Sequence, residues 1–372
     1  MKSGAPNELS RNDQPVYGFT PATWFLATTC MCLSVCQVKG QATNLIAGFA
    51  REFHSATLLP SGKVLVAGGF GSYAHYGCTG LLDPLKLTWE RCGDLSVSRR
   101  YHTATLLPNG KVLATGGYRT EELRSAELFD PATKKWTSVG NLSYGRSQHT
   151  ATLLGNGRVL IAGGNELLSL TPFDLYDPVT GVLAKAGMAP TRYLHTATLL
   201  KNGKVLIAGG RDPGTTTNCH LYDPVANKWT RTGSLATARN EHKATLMADG
   251  RVFVCGGVHP EKGGLLSAEI YDPQHEQWST TAPMNLMRIQ HTVTQLKDGR
   301  ILVAGGFEEG ELTELYNPAT GAWQQGPRMA APHSGHTATL LASGEVLVLG
   351  GRTETIELLS PATDTWKTLA VH

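Results

Sequence analysis

Charge is scarce in this sequence. Asp, Glu, Lys and Arg make up 17% of the 372 residues, 33 basic against 30 acidic, for a formal net charge of +3. So even a balance leaves no electrostatic footprint for a nucleic-acid backbone or an anionic membrane surface, and a 41% apolar share excludes a disordered polyelectrolyte. Cysteine is thin as well: seven residues are too few for a disulfide-stapled scaffold. No Cys-x-x-Cys or cysteine–histidine set stands at zinc spacing, so no metal site is expected. There is no sustained helical stripe, and the longest apolar stretch, ATWFLATTCMCLSV from Ala22 to Val35, is fourteen residues, too short to span a bilayer. Outside the repeats described next, no nucleophile elbow, phosphate loop, metal triad or paired catalytic carboxylates are found.

What is abundant is glycine, 42 residues, and a phrase written seven times. It reads FHSATLLPSGKVLVAGG from Phe53 and YHTATLLPNGKVLATGG from Tyr101, and its last copy is GHTATLLASGEVLVLGG from Gly335. Its histidines are His54, His102, His149, His195, His242, His291 and His336, with spacings of 48, 47, 46, 47, 49 and 45 residues. Each unit reads as four short strands. Threonine-rich HTATLL is closed by an Asn-Gly or Asp-Gly type of turn, whose residues supply positive φ. The nearly continuous apolar KVLVAGG suits a strand covered on both faces. A variable loop, a third strand such as AELFD, a D-P-x-x turn and a strand carrying Trp89, Trp136, Trp229, Trp278, Trp323 or Trp366 complete the unit, with Leu183 in the tryptophan's place once. One such meander cannot bury both faces alone, whereas seven around an axis can. The fold class expected is all-β, a seven-bladed propeller of four-stranded antiparallel blades.

The double glycines, from Gly68–Gly69 to Gly350–Gly351, the aromatic before D-P and the fourth-strand tryptophan resemble the kelch repeat family over about residues 49 to 370. The flavour is similar to the bacterial extracellular and galactose-oxidase-like kelch types. The resemblance implies a propeller. Within the galactose-oxidase-like group it also implies one copper held by tyrosines and histidines, a cysteine-crosslinked tyrosine, and a histidine from a further domain after the propeller. The last repeat tryptophan, Trp366, stands six residues from the end of the sequence, so that further domain is expected to be missing, and only one Tyr73/His75/Tyr76 cluster is seen. Other small kelch enzymes, epimerases or mutarotases of sugar acids, need only an acid–base pair and an arginine at the channel mouth.

The expected domains are an N-terminal segment, residues 1–42, and a propeller, residues 43–372, with repeats starting near residues 51, 99, 146, 192, 239, 288 and 333. Three readings of the first segment stay open: a signal or anchor (with Cys36 distantly like a lipoprotein box), disorder, or an outer strand lent by FTPATWFLATT to close the ring. A secreted or cell-surface location is expected, with a cytoplasmic one left open. Cys78 and Cys92, flanking the Asp83–Pro84 turn, are placed to bond across a hairpin in an oxidising compartment.

A residue type at one place in every unit is read as architecture rather than as a site. That covers the histidines, including His102, His149, His195, His242 and His291. It also covers the arginine three residues earlier: Arg51, Arg99, Arg146, Arg192, Arg239 and Arg288, with His333 in the last unit. The arginines are expected to bridge a turn in one blade to a third-strand carboxylate (Glu127, Asp174, Glu269, Glu314 or Glu357) in another, the pattern failing at Gly80 and His220. Ligand-binding candidates lie on the variable loops after the second strand and at departures from the repeat: Tyr73, His75, Tyr76, Tyr118, Arg119, Arg211, His259, His333 and Arg352. No catalytic residue is assigned and no cofactor is expected. The leading expectation is a monomeric, non-catalytic module that binds a protein or a glycan on this loop face, without nucleic acid or a membrane span. The alternative is a small carbohydrate-active enzyme using the same face, either sugar-acid epimerase or mutarotase-like or a galactose-oxidase-like copper oxidase.

Overall fold

The computed structural model describes residues 50–71, 76–164, 170–212, 214–307 and 309–370, all within one compact unit, Gln41–His372. Seven four-stranded antiparallel sheets follow one another along the chain, each built from four consecutive long strands. Blade 1 runs Ser55–Leu58, Val64–Ala67, Thr79–Asp83 and Thr88–Arg91, and blade 7 runs Thr337–Leu340, Val346–Leu349, Ile356–Ser360 and Thr365–Leu369. The first strands, Ser55–Leu58, Thr103–Leu106, Thr150–Leu153, Thr196–Leu199, Lys243–Leu246, Thr292–Gln295 and Thr337–Leu340, touch one another in a closed ring around the axis.

Local chemistry sets each blade. In the first hairpin Asn109 Oδ1 accepts the Lys111 N–H at 3.1 Å while Gly110 takes φ +80°, and Asn156, Asn202, Asp249 and Asp298 repeat that turn. The D-P-x-x turn closes in the same way, Asp130 Oδ1 accepting the Ala132 N–H at 2.9 Å. Second strands are wholly buried because a neighbouring blade covers each face, as their unbroken apolar sequence requires.

Apolar clusters join every pair of adjacent blades. Leu65 and Leu81 of blade 1 pack with Val112 and Phe129 of blade 2, and the series ends with Val64, Val66 and Leu82 of blade 1 against Leu347, Leu349 and Ile356 of blade 7. The ring therefore closes by packing of blade 7 on blade 1, each blade owning its four strands. FTPATWFLATT lies outside the described residues. The tryptophans reach back one blade: Trp136 donates to Thr79 Oγ1 at 3.0 Å and Trp278 to the Gly233 carbonyl at 3.0 Å.

The structure corrects two expectations. Cys78 and Cys92 are free thiols with different surroundings, Cys78 Sγ 3.4 Å from Arg51 Nη2 and Cys92 packed into the apolar layer between blades 1 and 2. Four of the buried arginines bind carboxylates of their own blade, not of another. Arg99 meets Glu127 at 2.6 Å, Arg146 meets Asp174 at 3.0 Å, Arg239 meets Glu269 at 2.8 Å and Arg288 meets Glu314 at 3.1 Å. Each precedes the first strand of its blade and also donates to the carbonyl of that blade's first paired glycine, as Arg99 does to Gly116 at 2.7 Å. The carboxylates' remaining bonds go to the incoming linker, from the backbone N–H of Ser96 to Glu127 and of Ala236 to Glu269 and from the side chains of Ser143 to Asp174 and of Asn285 to Glu314, so the linker is tied down by its own blade.

Candidate active site

The repeated histidines form a ladder from blade to blade. His54 Nε2 lies 3.0 Å from Thr337 Oγ1, His102 3.0 Å from Ser55 Oγ, His195 3.0 Å from Thr150, His242 3.0 Å from Thr196 and His336 3.0 Å from Thr292. Each therefore bonds the first hydroxyl residue of the preceding inner strand. Burial, reinforced by the neighbouring arginine charge, lowers His54, His102 and His195 to about 3 and the other ladder histidines well below the usual range, so the ladder is neutral. The paired glycines make room for it: a Cβ on Gly68, at φ +65°, would sit 2.5 Å from the Arg99 carbonyl and 2.7 Å from the His102 ring.

One rung is different. In blade 5 the hydroxyl residue is replaced by Lys243, and His291 has Cys255 Sγ at 3.7 Å instead. Lys243 is the one charged residue in the seven inner strands. It is open to the channel yet surrounded by protein, and it makes no hydrogen bond or ion pair among the described residues. Burial lowers its ammonium below the ordinary lysine range, with Glu241 opposing, and its charge is felt by His242, His291 and His336.

The residue just before each ladder histidine has left-handed backbone: Phe53 (φ 56°), Tyr101 (54°), Gln148 (55°), Leu194 (57°), Glu241 (56°), Gln290 (58°) and Gly335 (65°). Non-glycine residues hold this conformation at a cost of roughly 1 kcal/mol or more each, so their surroundings must impose it. What imposes it is a chain of backbone bonds from blade to blade: Tyr101 N–H donates to the Phe53 carbonyl at 3.2 Å, Gln148 to Tyr101 at 3.1 Å, Leu194 to Gln148 at 3.2 Å and Glu241 to Leu194 at 3.0 Å. Gly335 donates to Gln290 at 3.1 Å and Phe53 to Gly335 at 2.9 Å, which brings the chain of bonds across the closure. These seven residues form the rim where the inner strands begin.

The rim has two unlike sides. Phe53 and Tyr101 stack with ring centroids 4.3 Å apart, and Arg100 lies 5.3 Å from the Tyr101 ring, 4.7 Å from Phe70 and 5.4 Å from Tyr118. Beside them a shallow cavity of about 180 Å³ is lined by Arg100, Tyr101, Tyr118, Glu122, Ser147 and Gln148. Across the rim stands Glu241. Burial pushes its carboxyl above the ordinary range, opposed by Lys243, by a hydrogen bond from Gln290 and by Arg211. Ser334 Oγ donates to Gln290 Oε1 at 3.0 Å, which leaves the Gln290 amide hydrogens for Glu241. The two sides are within electrostatic reach: burial pushes the Tyr101 phenol up to about 12, and the Glu241 charge contributes to that shift.

The loop residues singled out by sequence are distributed around this rim. Tyr118 and Arg211 follow the paired glycines and pair by backbone with Arg100 and Tyr193. Arg211 lies 5.7 Å from the Tyr193 ring, and Arg352 binds Glu52 at 3.0 Å across the blade 7–blade 1 junction. Tyr76 lies under the Arg51 guanidinium at 5.0 Å. Arg119 is exposed, and His259 Nδ1 accepts the N–H groups of Glu261 and Lys262 in its own turn. His333 is buried between the Gly350 carbonyl at 2.8 Å and Glu357 at 3.0 Å, in the place the other blades give to arginine. Tyr73 and His75 lie outside the described residues. Sequence reasoning passed over Glu241 and Lys243. The available signals were that the place before the histidine varies freely among Phe, Tyr, Gln, Leu, Glu and Gly, and that a lysine interrupts a run of serine and threonine.

The kelch motif profile matches residues 99–143 and 242–285. A solved structure titled a novel fungal alcohol oxidase with catalytic diversity among the AA5 family, in complex with copper, is similar over 82% of this chain and 71% of its own, with a TM-score of 0.68 and 20% identity. The fold is a kelch-type seven-bladed β-propeller. A comparison with curated protein sequences finds no match. The likeness at 20% identity concerns the fold alone, yet the kelch-type scaffold it shows carries an enzyme. The fold therefore gives no ground for the expectation of a non-catalytic module, and that expectation is withdrawn. Among the described residues no group of three or more His, Cys, Asp or Glu could hold a metal ion, and the ladder histidines of the kelch-type ring are engaged with one another's blades. No described helix is long and apolar enough to cross a membrane.

Proposed function

We propose that this chain is a small carbohydrate-active enzyme whose rim performs proton transfer, as in epimerisation or mutarotation of a sugar or sugar acid. The observation that carries the reading is the Glu241–Lys243 pair. An acid pushed up and a base pushed down share one strand end at the channel mouth, so both lie nearer to working pH than free side chains do. Lys243, as the free amine its surroundings favour, takes a proton from a substrate hydroxyl or carbon acid, and the Glu241 carboxyl supplies one to the ring or carbonyl oxygen. Gln290, held by Ser334, orients the carboxylate. The Phe53–Tyr101 stack opposite offers an apolar platform for the C–H face of a pyranose, with Gln148 as a hydrogen-bonding group beside it.

The test is solution NMR on aldoses, ketoses and sugar acids in deuterated buffer, following anomer exchange and deuterium uptake at carbon. Wild type is expected to accelerate one member of the panel, and Glu241→Gln to lower kcat/KM by about 100-fold or more at unchanged Tm. No acceleration by wild type, or full activity in Glu241→Gln, contradicts the reading.

A further inference from the structure

We propose that Lys243 is an amine nucleophile that captures small aldehydes and ketones in the channel as a carbinolamine and then an imine. The inference deepens the reading of the rim as a catalytic site and rests on that reading for its substrate class, carbonyl forms of sugars. Four observations support it. Lys243 replaces the Ser/Thr of the other six inner strands, so it interrupts a bond that the scaffold makes elsewhere. It opens on the channel and not on the outer surface, with no carboxylate within ion-pair distance among the described residues to hold it protonated. The titratable groups around it are the neutral histidines His242, His291 and His336 and the carboxyl of Glu241. Burial among these groups favours its neutral amine.

The chemistry balances with groups already present. The Nζ lone pair attacks the carbonyl carbon, and the C=O π pair moves to oxygen, which takes a proton from the Glu241 carboxyl. The nitrogen of the adduct returns a proton to the Glu241 carboxylate. The same carboxyl then protonates the hydroxyl, which leaves as water while the nitrogen lone pair forms C=N, and the iminium nitrogen returns its proton to the Glu241 carboxylate. The net change is amine plus carbonyl to imine plus water, with no oxidant or reductant. Glu241 suits the proton relay because burial raises its carboxyl while Gln290 fixes its orientation.

The test is reductive trapping of the full chain with glycolaldehyde and cyanoborohydride at neutral pH, followed by peptide mapping. Lys243 is expected to label about tenfold or more faster than the exposed Lys86 and Lys135, because a larger fraction of it is free amine. Glu241→Gln is expected to slow labelling at Lys243 alone. Lys243→Thr, which restores the repeat's hydroxyl and so keeps the fold, is expected to abolish the fast component. Labelling of Lys243 no faster than Lys86 overturns the proposal, as does a Lys243 rate indifferent to Glu241→Gln. Fast trapping without turnover on any sugar upholds capture and sinks the proton-transfer reading. Turnover without trapping does the reverse.

Discussion

At the residue scale, two kinds of buried charge coexist in this ring. Arg99, Arg146, Arg239 and Arg288 are fully enclosed, and each meets a carboxylate and a backbone carbonyl of its own blade, so they hold linkers in place even though Arg146 Nε and Arg239 Nε find no hydrogen-bond partner among the described residues. Arg239→Met should destabilise by about 3–5 kcal/mol in chemical denaturation, since it strands Glu269 without its partner. Arg192, whose partner is the ring of His220 at 2.8 Å, should lose only about 1–3 kcal/mol on the same substitution, because no carboxylate is left behind. Equal losses at the two sites would contradict this account. These arginines, their carboxylates and the histidines were legible in sequence because repetition at a fixed spacing marks architecture. Glu241 was not, since it occupies the one place in the phrase that the scaffold leaves free. Lys243 was not, since a single replacement in a strand reads as drift until the strand is seen to face a channel.

At the scale of the element, the inner strand and its histidine are one device: each histidine crosses to the preceding strand and needs its ring neutral to do so. Unfolded, these histidines take up protons near pH 6.5. Folded, His54, His102 and His195 resist protonation until about 3. The unfolded state therefore binds more protons between those limits, and stability is lost as pH falls below 6.5. A loss on the order of 1 kcal/mol per ladder histidine is expected by pH 5.5, read as a falling Tm across a pH series. A Tm that holds level from pH 7 to 5 would show that the ladder is not desolvated as described. The strands and turns of this element were readable from Asn-Gly turns and unbroken apolar runs. The left-handed residue ahead of each histidine was not, because Phe, Tyr, Gln and Leu carry no preference for that conformation, and it goes with hydrogen bonds between blades that a single unit does not show.

For the whole molecule, seven inter-blade layers are alike, and the closing one is built like the rest. Leu347→Ala in the blade 7–blade 1 layer should therefore cost about 2–5 kcal/mol, in the same range as Leu206→Ala between blades 4 and 5. A much smaller loss at Leu347 would mean that the ring is held shut elsewhere. The blade count was legible from the repeat, and closure by packing was one of two modes it allowed; the register of neighbouring blades decides the mode.

The central claim is that this near-symmetric ring gives up its symmetry at Lys243 for chemistry. Lys243→Thr tests it most directly, with Tm and sugar turnover measured on the same sample. The account predicts a variant more stable than wild type by about 1 kcal/mol, as His291 regains a hydroxyl partner and a desolvated ammonium is removed, and a variant that has lost turnover. Retained turnover, or a loss of stability, would contradict it.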